Sequence, residues 1–266
     1  MAGSMAFRRN RARWVAAICG GAALLTRLDC ATAAGCAELP VQGEGVVAAV
    51  IDPRTLRLAD GAEVRLAGIE PAGERSDAGV ALLVALTVGR RVVLHGVDDV
   101  PDRYGRQSAF VVIEPEAALV QRRLLTEGRA LVGIDRVPAD CRKELLAVEA
   151  AARAAASGIW VEWGVIKNAA NSGDMVSRIG RFTLVEGRVV SVREVGSTVY
   201  LNFSGRWTRG FAVTISRRVA AAIETAGLSL KSLTGQRIRV RGWVENRAGP
   251  GIVLRDVAQV ERAGGD

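Results

Sequence analysis

Residues 52–74 read DPRTLRLADGAEVRLAGIEPAGE, from Asp52 to Glu74. Leu56 and Leu58 alternate with Arg57, Asp60-Gly61 supplies a turn, and Val64, Leu66 and Gly68 alternate with Arg65 and Ala67 on the return. A period of two on either side of an Asp-Gly pair is the pattern of a β-hairpin. The loop that follows carries two carboxylates, Glu70 and Glu74, just beyond the arginine-bearing strand. Further on, Asp102-Arg103-Tyr104-Gly105-Arg106 is a charged turn that feeds a strand expected over 107–113. Acid, arginine, acid and a second arginine on a turn is a layout suited to a phosphodiester, because a guanidinium can meet two phosphate oxygens at once.

Four further segments lie downstream of the hairpin's first strand: VRLAGIEP (64–71), DRYGR (102–106), LLTEGRA (124–130) and CRKELLAVEAAARAAASGIW (141–160). With the hairpin they resemble the staphylococcal nuclease (thermonuclease) family, in its order and at its spacing, from about Val41 to Trp160. The resemblance implies a five-stranded OB barrel with three helices. It also implies hydrolysis of DNA and RNA phosphodiesters with a calcium ion, two arginines and a glutamate. Arg65 and Arg106 fall on the two family arginines, and Tyr104 in the same turn is a candidate nucleic-acid contact.

The rest of the family pattern is altered. Where the family's first loop reads Asp-Gly-Asp-Thr, this chain reads Asp52-Pro53-Arg54-Thr55, so a calcium-ligand aspartate is replaced by Arg54. Asp52 and Glu70 remain as metal carboxylates. The general-base position aligns with Gly73, and Glu74 reaches it if the loop carries one extra residue. Calcium affinity follows the charge count of hard oxygen ligands. Exchanging a carboxylate for a guanidinium therefore makes calcium a doubtful cofactor, and Arg54 could instead meet a phosphate directly.

Residues 1–34 read as an export signal: Arg8, Arg9, Arg11 and Arg13 precede an apolar stretch over 14–25, and small residues follow at 31–34. An uncleaved anchor is the alternative, although the stretch is short for a bilayer. Removing the signal takes the chain from 36 basic and 28 acidic residues to 31 and 27, or from +8 to about +4. Charge alone thus argues only modestly for a polyanionic partner. The expected destination is periplasmic or secreted, with no stable membrane insertion of the mature chain. There Cys36 and Cys141, the two cysteines left after the signal, are expected to form a disulfide, separate thiols being the alternative. The single histidine, His95, excludes a zinc cluster built on histidine and reads as a strand residue.

The fold class expected is mostly β with helices. In the first domain (41–160), strands are expected at 46–51, 91–97 and 107–113 beside the hairpin, and helices at 80–87, 117–124 and 140–157. Residues 161–178 read as a linker by composition. Five strand candidates then follow in 179–262, at 182–192, 198–203, 210–215, 237–244 and 252–261, with a helix at 218–226 before the fourth. That order predicts a second small OB-like barrel. Along it, Arg237, Arg239, Arg241 and Trp243 alternate on one face, and Arg206-Trp207 sits in a loop. Both read either as nucleic-acid contacts or as ordinary arginine and aromatic surface. Three function classes follow: a nucleic-acid-binding, nuclease-like protein with hydrolysis weak or lost, an active calcium-dependent nuclease, and an envelope module that binds a protein partner.

Overall fold

In chain order the first half of the fold comprises β1 (Val41–Asp52), β2 (Thr55–Leu58), β3 (Glu63–Leu66), β4 (Ile69–Pro71), α1 (Ser76–Thr87), β5 (Arg91–His95), β6 (Gln107–Ile113), β7 (Ala118–Leu119), α2 (Val120–Thr126), β8 (Ala130–Val132) and α3 (Ala139–Ala154). These elements come from a computed structural model that describes residues 35–71, 76–162, 164–205 and 210–263. The leader 1–34, Glu74, Arg206 and Trp207 lie outside the described residues. β1 is long enough to serve two neighbours. Its first half pairs with β5 (Val41↔His95, Val46↔Arg91) and its second with β2 (Val47↔Leu58, Asp52↔Thr55). β2 pairs with β3, β3 runs parallel to β6, and β6 returns antiparallel to β5, so the circuit closes into a barrel.

The hairpin's alternation decides which side chains fill that barrel. Leu56, Val64 and Leu66 are buried with Val92, Leu94 and Phe110, while Arg57 and Arg65 take the other face. Each buried leucine or valine is worth about 1.5–3 kcal/mol relative to exposure. α1 adds Leu83 to this core, α2 adds Leu124 and Leu125, and α3 adds Leu145. The buried amide of Gln121 ties α2 to β6, accepting from Val111 N (3.1 Å) and donating to Ala109 O (2.9 Å).

Past the first barrel run β9 (Ile166–Asn168), α4 (Ser172–Ser177), β10 (Phe182–Arg188), β11 (Ser191–Val195), β12 (Thr198–Asn202), β13 (Ala212–Ser216), α5 (Arg217–Thr225), β14 (Arg237–Asn246), β15 (Pro250–Leu254) and β16 (Val260–Arg262). β11, β12 and β13 form an antiparallel meander. β13 runs parallel to β15, β15 pairs with β14, and β14 returns to β10. With β10 and β11 counted as one broken strand, this repeats the circuit of the first barrel, including a helix between the third and fourth strands.

Three expectations change. Residues 161–178 are not a bare linker: β9 lies parallel to β10, Asn171 caps α4 by accepting from Asp174 N, and Ala169 and Met175 are buried in the second core. A few scattered apolar residues, with Val165 and Ile166 packing on a separate cluster, and a cap hold this short segment, which is why it shows no periodicity. The strand expected over 182–192 breaks at Val189, where its N–H donates to Gln236 O. The one expected over 252–261 breaks at Asp256, which starts a short helical turn with Gln259 in a capping box.

Cys36 and Cys141 are bonded, with Cα atoms 4.6 Å apart, and pin the segment before β1 to α3. α3 also faces the second barrel, because Arg142, Glu149 and Arg153 recur on one side of it. Arg142 pairs with Asp256 (2.9 Å), and Arg153 comes within 3.9 Å of Glu261. Glu149 meets Arg241 in a bidentate pair (2.9 and 3.1 Å) whose side chains are 1% and 4% exposed. Leu131, Ile159 and Leu184 pack into a small apolar cluster beside it. No helix among the described residues is long and apolar enough to cross a membrane.

Candidate functional site

The site forms where the β1–β2 turn, the end of β3 and the start of β6 converge. Asp52 pairs with Thr55 across the turn, Thr55 with Arg65, and Arg65 with Ser108, two residues beyond Arg106. Asp52 Oδ1 accepts from the Arg54 N–H (2.9 Å) and fixes the Pro53-Arg54 turn. Arg54 O accepts from Leu66 N (2.7 Å), which ties that turn to β3.

Glu70 reaches the site because the chain reverses at Gly68. That residue has φ +73°, and a Cβ there would lie 2.8 Å from Leu145 Cδ1, so the position needs glycine. β4 then pairs with β8, setting Glu70 opposite Leu131. The Arg54 guanidinium lies in ionic contact with the Glu70 carboxylate and near Ile69 O (3.4 Å), and both side chains are nearly buried. Burial pushes the Glu70 carboxyl above the usual carboxylate range, and the nearby Arg54 charge offsets this only in part.

On the other side, Asp102 organises the turn into β6. Its Oδ1 accepts from Tyr104 N (2.8 Å) and Arg106 N (3.1 Å), and its Oδ2 accepts from Arg106 Nε (3.0 Å) and Nη2 (2.8 Å). The Arg106 side chain holds the Asp102 carboxyl below its ordinary range. Arg106 is in turn raised, first by Asp102, with a smaller contribution from the charge of Asp52. The Tyr104 ring is 64% exposed, and the Arg103 and Arg106 guanidinium carbons lie 4.8 and 4.9 Å from its centroid.

The fold therefore brings Asp52, Arg54, Arg65, Glu70, Tyr104 and Arg106 to one end of the first barrel. Glu74, the expected base, lies outside the described residues. Among the described residues no group of three or more Asp, Glu, His or Cys side chains could hold a metal ion.

Residues 73–162 match the family model described as staphylococcal nuclease homologue. No curated protein matches the chain. The nuclease-homologue match includes Tyr104 and Arg106. It begins after Arg65 on β3 and after Asp52, Arg54 and Glu70, where the family pattern is altered.

The arginine stripe of β14 is a correction. Arg239 pairs with Glu186 (2.8 Å) and Glu261 (3.0 Å), Arg241 is buried against Glu149, and Arg237, although exposed, meets Glu186 (2.7 Å). β10 and β16 flank β14 in the sheet and bring Glu186 and Glu261 to its outward face, and α3 brings Glu149 against that face. Arg239 and Arg241 are thus buried counter-ions rather than a solvated or phosphate-tracking surface. Sequence alternation gives a residue's face but not what covers it, so Glu149, Glu186 and Glu261 went unread. The helical spacing of Arg142, Glu149 and Arg153 was the available signal. Trp243 remains 41% exposed and packs edge-on to Phe182. It lines a cavity of about 190 Å³ together with Glu70 and Asp135. Arg206 and Trp207 lie outside the described residues.

Proposed function

We propose that the first barrel grips nucleic acid, or a similar phosphate polymer, through Arg65 and Arg106 without a divalent ion, and that hydrolysis is weak or lost. The observation that carries this reading is the contact between Arg54 and Glu70. The resemblance implies a calcium ion beside Glu70, and a guanidinium occupies that neighbourhood instead. A site with Asp52 and Glu70 as its acids and Arg54 against one of them does not fit calcium, which takes six to eight oxygen ligands. Arg54 acts as the internal counter-ion of Glu70. The phosphate grip then falls to Arg65 and Arg106, with Tyr104 beside them and Trp243 beyond Glu70. The nuclease-homologue match supports a nucleic-acid-related role. Export from the cytoplasm belongs to the same proposal and rests on the basic and apolar leader.

The experiment is filter binding of DNA and of RNA in the presence of chelator, across a range of salt. Binding is expected to be salt-sensitive, unaffected by chelator, and weakened in Arg65→Ala/Arg106→Ala with a salt slope smaller by about 2. Equal binding by wild type and double variant would refute the assignment.

A further inference from the structure

The face of the second barrel remote from its core carries a groove of about 880 Å³ across β11, β12, β13 and β15. Alternation makes its floor: Val199, Leu201 and Val213 turn inward to the core, and Thr198, Tyr200 and Thr214 turn outward into the groove. The strand register sets Arg193 opposite Tyr200, Tyr200 opposite Thr214, and Thr214 opposite Val253, one row across four strands. Arg193 is exposed at one margin. Arg247, on the hairpin between β14 and β15, stands at another, with its Nε donating to Glu245 (2.8 Å).

Charge separates this groove from other cavities. Its described lining holds two arginines and no carboxylate. The cavity beside Glu70 sets Glu70, Asp135 and Glu245 against Arg255 alone, and one of about 300 Å³ on the α5 side balances Glu194 and Glu224 with Arg217 and Lys231. The groove thus suits an anion. β12, β13 and β15 are each paired on both edges, so a peptide could add as a strand only along the outer edge of β11, which ends the sheet, and the floor itself offers only side chains. An aromatic ring flanked by a guanidinium, over a floor of small hydroxyl-bearing residues, is the surface on which a base stacks while phosphates meet arginine.

We propose that this groove is a second nucleic-acid site, separate from the one on the first barrel, and that it takes single-stranded nucleic acid. A base stacks on Tyr200, and Arg193 and Arg247 meet flanking phosphates. Duplex is excluded from this mode because its bases are already stacked.

The test is anisotropy of fluorescein-labelled oligothymidylate with the full-length protein, joined to ultraviolet crosslinking mapped by mass spectrometry. Tyr200→Ala is expected to weaken binding about tenfold, and Tyr200→Phe to keep it. Arg193→Glu/Arg247→Glu should lower the salt slope by about 2. The crosslink should fall on the peptide holding Tyr200 and persist in Arg65→Ala/Arg106→Ala, even if those substitutions prove the first-barrel reading wrong. Wild-type binding by both groove variants, crosslinks confined to the first barrel, or displacement of nothing but peptide ligands from the groove would each overturn the proposal.

Discussion

Arg54 sets the charge of the candidate site. A carboxylate at that position would join Asp52 and Glu70 and call for a cation from outside. The guanidinium supplies that charge from within the chain, in contact with Glu70. Reversing it is therefore expected to create a demand for metal. Arg54→Asp should gain a melting temperature about 5 °C higher in excess calcium than in chelator, and wild type should show no such shift. Differential scanning fluorimetry checks this, and a calcium shift in wild type alone would contradict it. At this scale the charge exchange at Arg54 was legible by comparison with the family loop, and the barrel sets Arg65 beside the strand that Arg106 leads into. What the residues did not disclose is that Glu70, read as a metal carboxylate, is the partner of Arg54. A sequence states charges, whereas ion pairing depends on which strands the barrel brings together.

Among the elements, the 102–106 turn matters most because it aims Arg106. One carboxylate does this, accepting two backbone and two side-chain hydrogen bonds. Asp102 is held below its ordinary pKa of 3.8 by Arg106. As pH falls the unfolded chain therefore takes up the proton first. The contribution of the turn is full above about pH 4 and disappears as pH drops through the lower folded value. Asp102→Asn should be less stable than wild type at neutral pH, with the two melting curves converging in acid. Circular dichroism melts from pH 2 to 7 measure this, and a constant gap between them would count against it. β6 was readable to the residue, because five apolar side chains in a row mark a strand covered on both faces. β9 and α4 were not, since only a few apolar side chains, Ile166, Ala169 and Met175 among them, anchor this stretch, and a helix of six residues shows too little of its period to be read.

For the whole molecule, the two barrels repeat one strand circuit and are locked together by α3. The Arg241–Glu149 pair is buried between them, and removing Glu149 would leave the buried Arg241 with only the more distant Glu261, 3.9 Å away. Glu149→Leu should cost about 3–5 kcal/mol in urea unfolding, and Arg241→Met/Glu149→Leu should recover most of that loss. A double variant as unstable as the single one would show that the pair does more than neutralise itself. The lock also sets Trp243 and Glu70 on the lining of one cavity. The central claim is that this barrel kept a phosphate grip without the metal chemistry. Its most direct measurement is cleavage of DNA and RNA by the wild-type protein in calcium and in chelator, beside Arg65→Ala/Arg106→Ala. The account predicts no calcium-dependent cleavage, with salt-sensitive binding retained by the wild type. Calcium-dependent cleavage that disappears in the double variant would contradict it.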